Sequence, residues 1–281
     1  MNETNAINEE LHPIPVRRME FEIPTADDLD PKWLANDIRQ SSFSTGLSLY
    51  VAYLEPFLVK SMRRVLDQIT DPKLKEDVDR FSRQEAQHYM QHERFNAAIL
   101  GKGYPGLQER FDVLKADFER FLETKGDKWC VGFVEGFEAL TTQMALGSLR
   151  ELGKQHPKTD KRFAALYEWH MLEEVEHRNV AYDIYEHLYG DYLFRAKMCL
   201  IAQSHILKYI TDCMKIMSPV DVARYDESYG VSGVVRVMVW IGFSPMMLKT
   251  LKPSYTPHDY DVSETLEGLS ARLSAEAASV T

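Results

Sequence analysis

Two short segments of the chain carry the same pair of metal-capable side chains at the same spacing. "RQEAQHYMQH" holds Glu85 and His88, and "WHMLEEVEHRN" holds Glu174 and His177; each pair reads Glu-x-x-His. Residues three or four apart lie on one face of a helix, so each pair can bring a carboxylate and an imidazole to one point. Carboxylate and imidazole donors without thiolate suit iron or manganese, with zinc also within range. One such pair is weak, because Glu and His are common surface residues. Two pairs, each on a long helix that follows another long helix, form a pattern.

The two preceding helices each supply a further glutamate among apolar residues: Glu55 in "LSLYVAYLEPFL" and Glu138 in "GFVEGFEALTTQMA". Glu55 stands 16 residues before the turn at Asp71 and Glu85 stands 14 after it. Glu138 stands 19 before the turn at Pro157 and Glu174 stands 17 after it. At about 1.5 Å per residue, near-equal arms of an antiparallel hairpin bring both members level. The expectation is four carboxylates and two imidazoles at one depth of a four-helix bundle. Di-iron and di-manganese carboxylate bundles use this arrangement, a Glu from each of two helices and Glu-x-x-His from the other two. Four carboxylates in an apolar core could not all stay ionised alone, whereas two divalent cations would balance them.

His170 lies one turn before Glu174, giving His-x-x-x-Glu-x-x-His, and is a candidate third imidazole on the ion that His177 binds. His92, one turn after His88, is its counterpart; either could instead sit at the rim, bonded to a carboxylate. Glu173 and Gln84 each precede a candidate ligand and can accept a hydrogen bond from an imidazole across the helix interface, fixing its tautomer. Glu135 could act likewise or be a rim charge. Glu176 reads as solvated.

Six helical stretches must position these groups. They run about 44–69, 73–100, 107–123, 128–152, 161–189 and 194–217, and a seventh covers about 230–251. Asp71 followed by Pro72 is a helix start, and "GKGYPG" is a stop. No alternating strand pattern appears, so the fold class is all-α. Residues 1–30 read as an extended arm, 31–251 as one domain with its bundle core at 44–189 and extra helices at 194–251, and 252–281 as a polar tail with a mobile end. At 281 residues and 44% hydrophobic, the chain can bury a sizeable core. A net charge of −10 argues against nucleic acid and anionic membrane partners. Three cysteines without CxxC spacing, and an N-terminus without an apolar run, suggest a cytoplasmic protein. The apolar run 234–248 is short and interrupted, so no transmembrane span is expected, though peripheral membrane contact and a homodimer stay open.

The segments around Glu55, Glu85, Glu138 and Glu174 resemble the ferritin-like bacterial family of predicted metal-dependent hydrolases over about 44–189, with an echo in "LKPSYTPHDYD". The segment around His170 is also similar to that of the di-iron arylamine N-oxygenases, in which a third histidine binds one iron. The resemblance implies a ferritin-like bundle and a dinuclear centre. Two departures are Leu54-Glu55-Pro56-Phe57-Leu58, where family members often carry Gly-Glu-Arg-Phe-Phe, and Glu138-Ala139, where they often carry Glu-His. Pro56 suggests a kink at the ligand. The leading expectation is a di-iron enzyme that uses dioxygen to oxidise a small apolar substrate, with Phe57, Phe133, Phe137 and Met144 as lining. The alternative is a two-metal hydrolase of an ester, amide or phosphoester. A non-enzymatic iron-binding protein comes third, because the extra helices exceed what a storage shell needs.

Overall fold

The computed structural model describes residues 13–152, 156–225 and 233–280; among them the chain is helix and connecting loop with no strand. The helices are α1 (Ile38–Arg64), α2 (Pro72–Gly101), α3 (Leu107–Thr124), α4 (Asp127–Leu152), α5 (Lys161–Glu176), α6 (Val180–Leu188), α7 (Tyr192–Tyr225), α8 (Gly233–Thr250) and α9 (Ser263–Val280). α1 packs along α2, α4 along α5 and α6, α1 touches α4, and α2 touches α5 and α6. These contacts close four helical segments around one interior. α7 lies across α1 and α4, with α3 and α8 against it.

Local sequence explains the ends. Asp71 accepts from the Lys73 amide at 2.8 Å with Pro72 in the first turn, so the start of α2 is where the sequence puts it. Asp37 caps α1 through the amides of Arg39 and Gln40, so the helix starts six residues earlier than the sequence suggests. α1 runs through Pro56 as a single helix. Gly136 lets α7 come close to α4: a Cβ there would meet Cys199 Cα at 2.7 Å. Cys130, Cys199 and Cys213 are buried and free.

Two segments depart from expectation. The stretch 161–189 is two helices, because α5 ends at Glu176 and α6 begins at Val180. The buried Arg178 guanidinium donates to the Val175 carbonyl at 2.8 Å, taking the acceptor that a continuing helix would use. His177 therefore sits at the helix C-cap, not inside it. The polar stretch after Pro253 contains α9, which packs back on α5 with Leu273 buried and Leu269 and Ala277 half-buried, one turn apart along one face. Among the described residues no helix is long and apolar enough to cross a membrane.

Candidate metal centre

The interior enclosed by α1, α2, α4 and α5 holds Glu55, Glu85, His88, Glu138, His170, Glu174 and His177, each no more than 3% exposed. Glu174 Oε1 is the hub. It lies 3.1 Å from His170 Nε2, 3.5 Å from His177 Nε2 and 3.8 Å from His88 Nδ1. His177 Nε2 is also 3.3 Å from Glu85 Oε1 and 3.5 Å from Glu138 Oε2, and His170 Nε2 is 3.7 Å from Glu55 Oε1. Ligand atoms within 4.8 Å of one another form the sets Glu55–His88–His170, Glu85–Glu138–His177 and Glu85–His88–Glu174. The first two share no residue.

His170 falls beside His88, with ring centroids 4.1 Å apart, and not with His177 as the sequence suggests.

Hydrogen bonds behind the cluster fix which nitrogen of each ring faces it. His88 Nε2 meets Glu173 Oε2 at 3.0 Å and His177 Nδ1 meets Gln84 Oε1 at 3.0 Å. Gln84 Nε2 donates to the Pro15 carbonyl and to Glu176, so its oxygen faces His177, whose Nδ1 must donate. Behind His170, Asn96 Nδ2 donates to the Ser48 carbonyl, the Ser48 hydroxyl donates to Asn96 Oδ1, and Ser48 Oγ then accepts from His92 Nδ1 at 2.7 Å. His92 Nε2 is left to accept from His170 Nδ1 at 2.6 Å. His170 Nε2 meets Glu174 Oε1 at 3.1 Å; a neutral ring with its proton on Nδ1 turns a lone pair toward that oxygen, an opposition that a cation, whether proton or metal ion, resolves. His92 stands behind His170 rather than in the cluster. Glu135 faces α7 instead, accepting from Arg195 at 3.1 Å and from the Cys199 thiol at 3.3 Å. Glu176 is not solvated: it is buried and takes a two-pronged ion pair from Arg17.

Burial dominates the electrostatics. It lifts Glu55 well above the usual carboxylate range, helped by Glu85, Glu174 and Glu138. It raises Glu85 and Glu138 to about 7, each with Glu174 adding to the rise. Burial, with His170 beside it, lowers His88 to about 4 and so keeps it neutral. Burial opposes the charge on both Glu174 and His177. Their mutual attraction outweighs it, holding Glu174 low and His177 well above the usual imidazole value.

Whether these residues fit a metal is decided by which atoms lack partners. Both oxygens of Glu55, Glu85 and Glu138, with Glu174 Oε2, His88 Nδ1 and His177 Nε2, are buried without a hydrogen-bond partner. Such orphans are costly singly, and here they converge. Metal–ligand bonds near 2.0–2.2 Å put neighbouring donors about 3–3.5 Å apart, close to the shorter contacts around Glu174 and His177. The donor set therefore fits divalent metal.

The family model for predicted metal-dependent hydrolases matches residues 15–261. The chain belongs to that family. No curated protein and no solved structure matches it. The match begins in the arm and so takes in more of the chain than the helices that carry the Glu and His pairs.

Metal uptake should follow pH in a set direction. Glu85 and Glu138 hold protons up to about 7 in the metal-free protein, and His177 holds one higher still. A bound ion needs all three without those protons. Affinity for Mn(II) is expected to climb as pH rises through 7, with protons released on binding. Calorimetry in two buffers of different ionisation enthalpy counts those protons; affinity flat from about pH 5.5 to 8 would contradict the assignment.

Proposed function

We propose that the cluster is a dinuclear metal centre in a ferritin-like bundle and that it hydrolyses an uncharged ester or amide with a slender apolar group. Glu55, His88 and His170 would hold one ion, Glu85, Glu138 and His177 the other, and Glu174 would serve both. The observation that carries this reading is the convergence of orphaned donor atoms within a family of predicted metal-dependent hydrolases. Bound divalent metal supplies two things: a polarised carbonyl and water acidified toward neutral pH.

The chain's own residues do the rest. A narrow chamber with room for about one water molecule lies beside the cluster, walled by Leu47, Val51, Phe137, Met144 and Met171, with Glu55, Glu85, His170 and Glu174 on its cluster side. Phe57 and Phe133, expected as lining, pack instead with Phe118 and Phe121. The Thr141 and Tyr167 hydroxyls on the wall are already bonded to backbone carbonyls. Among the described lining residues there is no Lys or Arg, so the only counter-charge for a phosphoester there would be that of bound metal, which the cluster carboxylates already balance. These side chains would have to part to admit an acyl chain; around it they would desolvate it and keep bulk water from the reacting bond.

A second reading is oxidation of the same kind of substrate with dioxygen. It is favoured by one set of donors: Glu55, His88 and His170 are two imidazoles and one carboxylate, the donors of non-haem iron oxygenases. Paired assays separate the two. Hydrolysis predicts that Zn(II)- or Mn(II)-loaded protein cleaves p-nitrophenyl esters, faster for longer acyl chains, and that chelator abolishes cleavage. No cleavage with any metal, together with an optical band and oxygen uptake when anaerobic Fe(II)-loaded protein meets oxygen, would replace it with the oxidative reading.

A further inference from the structure

The N-terminal arm passes directly behind the cluster, and one residue of it meets both hydrogen-bonded branches that orient the cluster imidazoles. Arg17 is 3% exposed. Its Nη1 donates to Glu173 Oε1 at 3.1 Å and to Glu176 Oε2 at 2.7 Å, and its Nη2 donates to Glu176 Oε1 at 2.7 Å. A guanidinium only donates, so these oxygens only accept. Glu173 is left with Oε2 for His88 Nε2, which donates to it when the carboxylate is ionised. Glu176 Oε2 also accepts from Gln84 Nε2 at 3.2 Å, which leaves Gln84 Oε1 for His177 Nδ1. Pro15, two residues earlier in the arm, holds the same Gln84 amide through its carbonyl at 2.7 Å.

Both branches end the same way: the nitrogen facing away from the cluster carries the proton, and the other faces the carboxylates. The far side of the guanidinium belongs to α9. Arg17 Nε donates to Ser274 Oγ at 3.0 Å and Nη2 to Ser270 Oγ at 2.7 Å. The arm and α9 therefore meet on one cation behind the site.

We propose, resting on the metal-centre reading above, that Arg17 is a positioning residue of that centre. Its forked donor set directs the hydrogen bonds that turn His88 and His177 toward the cluster, and so makes docking of the arm part of completing the site. A lysine keeps the charge but cannot fork between two carboxylates. Partners that orient metal-binding histidines are worth 10–100-fold in affinity. Arg17 acts one bond further out, so about a tenfold effect is expected.

The probe is Co(II), whose visible bands report ligand geometry. In Arg17→Lys, Co(II) release to a chelator should be about tenfold faster than in wild type, and the bands should shift. Glu176→Gln, which loosens only the His177 branch, should accelerate release by less. Arg272→Ala is the control, because it removes the surface ion pair of α9 with Glu168 on α5 without touching Arg17; release and bands should match wild type. If Arg17→Lys does not fold, the Glu176→Gln result decides alone. Unchanged release and bands in Arg17→Lys, even with a lower melting temperature, would mean a purely structural cation and overturn the proposal. Unchanged release and bands in Glu176→Gln, or a change in Arg272→Ala as large as in Arg17→Lys, would overturn it too. A wild type that takes up no Co(II) removes the metal-centre reading and this proposal together.

Discussion

Glu174→Ala is expected to cost the centre most of its metal. Glu174 Oε1 lies within 3.8 Å of the inward nitrogens of His88, His170 and His177, so its carboxylate is the donor that approaches all three imidazoles. Removing it leaves Glu55, Glu85 and Glu138 repelling one another with less cation to hold them. Metal analysis should fall from about two ions per chain to well under one. The fold should respond as well, because ions bound only by the native state stabilise it. At a free concentration 100–1,000 times the dissociation constant, the contribution is about 3–4 kcal/mol. Spread over a chain of this size, that is a drop of roughly 5–7 °C. Stripping both proteins with chelator should remove most of the difference. Calorimetric melting with and without metal measures both arms, and equal melting of variant and wild type in saturating Mn(II) would sink the assignment.

The cluster was readable in the sequence because its spacing is imposed by helix geometry. Glu-x-x-His twice and hairpin arms of near-equal length suffice to put Glu55, Glu85, Glu138 and Glu174 level, and the structure brings all four together with three imidazoles. What sequence reasoning missed depends on non-local contact. The break after Glu176 has no Gly or Pro to announce it; it arises because Arg178 folds back on Val175. Arg17 lies 156 residues from Glu173, and nothing in "PVRRMEF" marks it. A signal did exist on the other side: Glu173 and Glu176 share a helix face with buried neighbours Leu172 and Val175, and two carboxylates there call for a cation. Leu269, Leu273 and Ala277 repeat every four residues, the stripe of a docked helix, which the Ser and Glu content of that segment obscured.

His170 is expected to tune the centre rather than to hold it. Its Nε2 is aimed between Glu174 at 3.1 Å and Glu55 at 3.7 Å. Its other nitrogen is tied through His92, Ser48 and Asn96 to a backbone carbonyl. Burial and the adjacent His170 and His88 rings hold His92 well below the usual imidazole value, so it serves as a neutral acceptor. In His170→Ala six other donors remain, and a neutral imidazole takes no charge with it. Metal content should therefore fall less than in Glu174→Ala. The optical spectrum of the Co(II)-loaded or oxidised Fe-loaded protein should shift, because one ion loses a nitrogen donor. Turnover should drop by about 10- to 100-fold if that ion positions the substrate. The substitution also vacates an imidazole-sized space next to the chamber, since His170 and His92 both line it. Free imidazole at millimolar concentration should then enter and restore part of the wild-type spectrum. A histidine that merely packs and bonds to Glu174 predicts otherwise: a lower melting temperature with or without metal, an unchanged spectrum, and no response to imidazole.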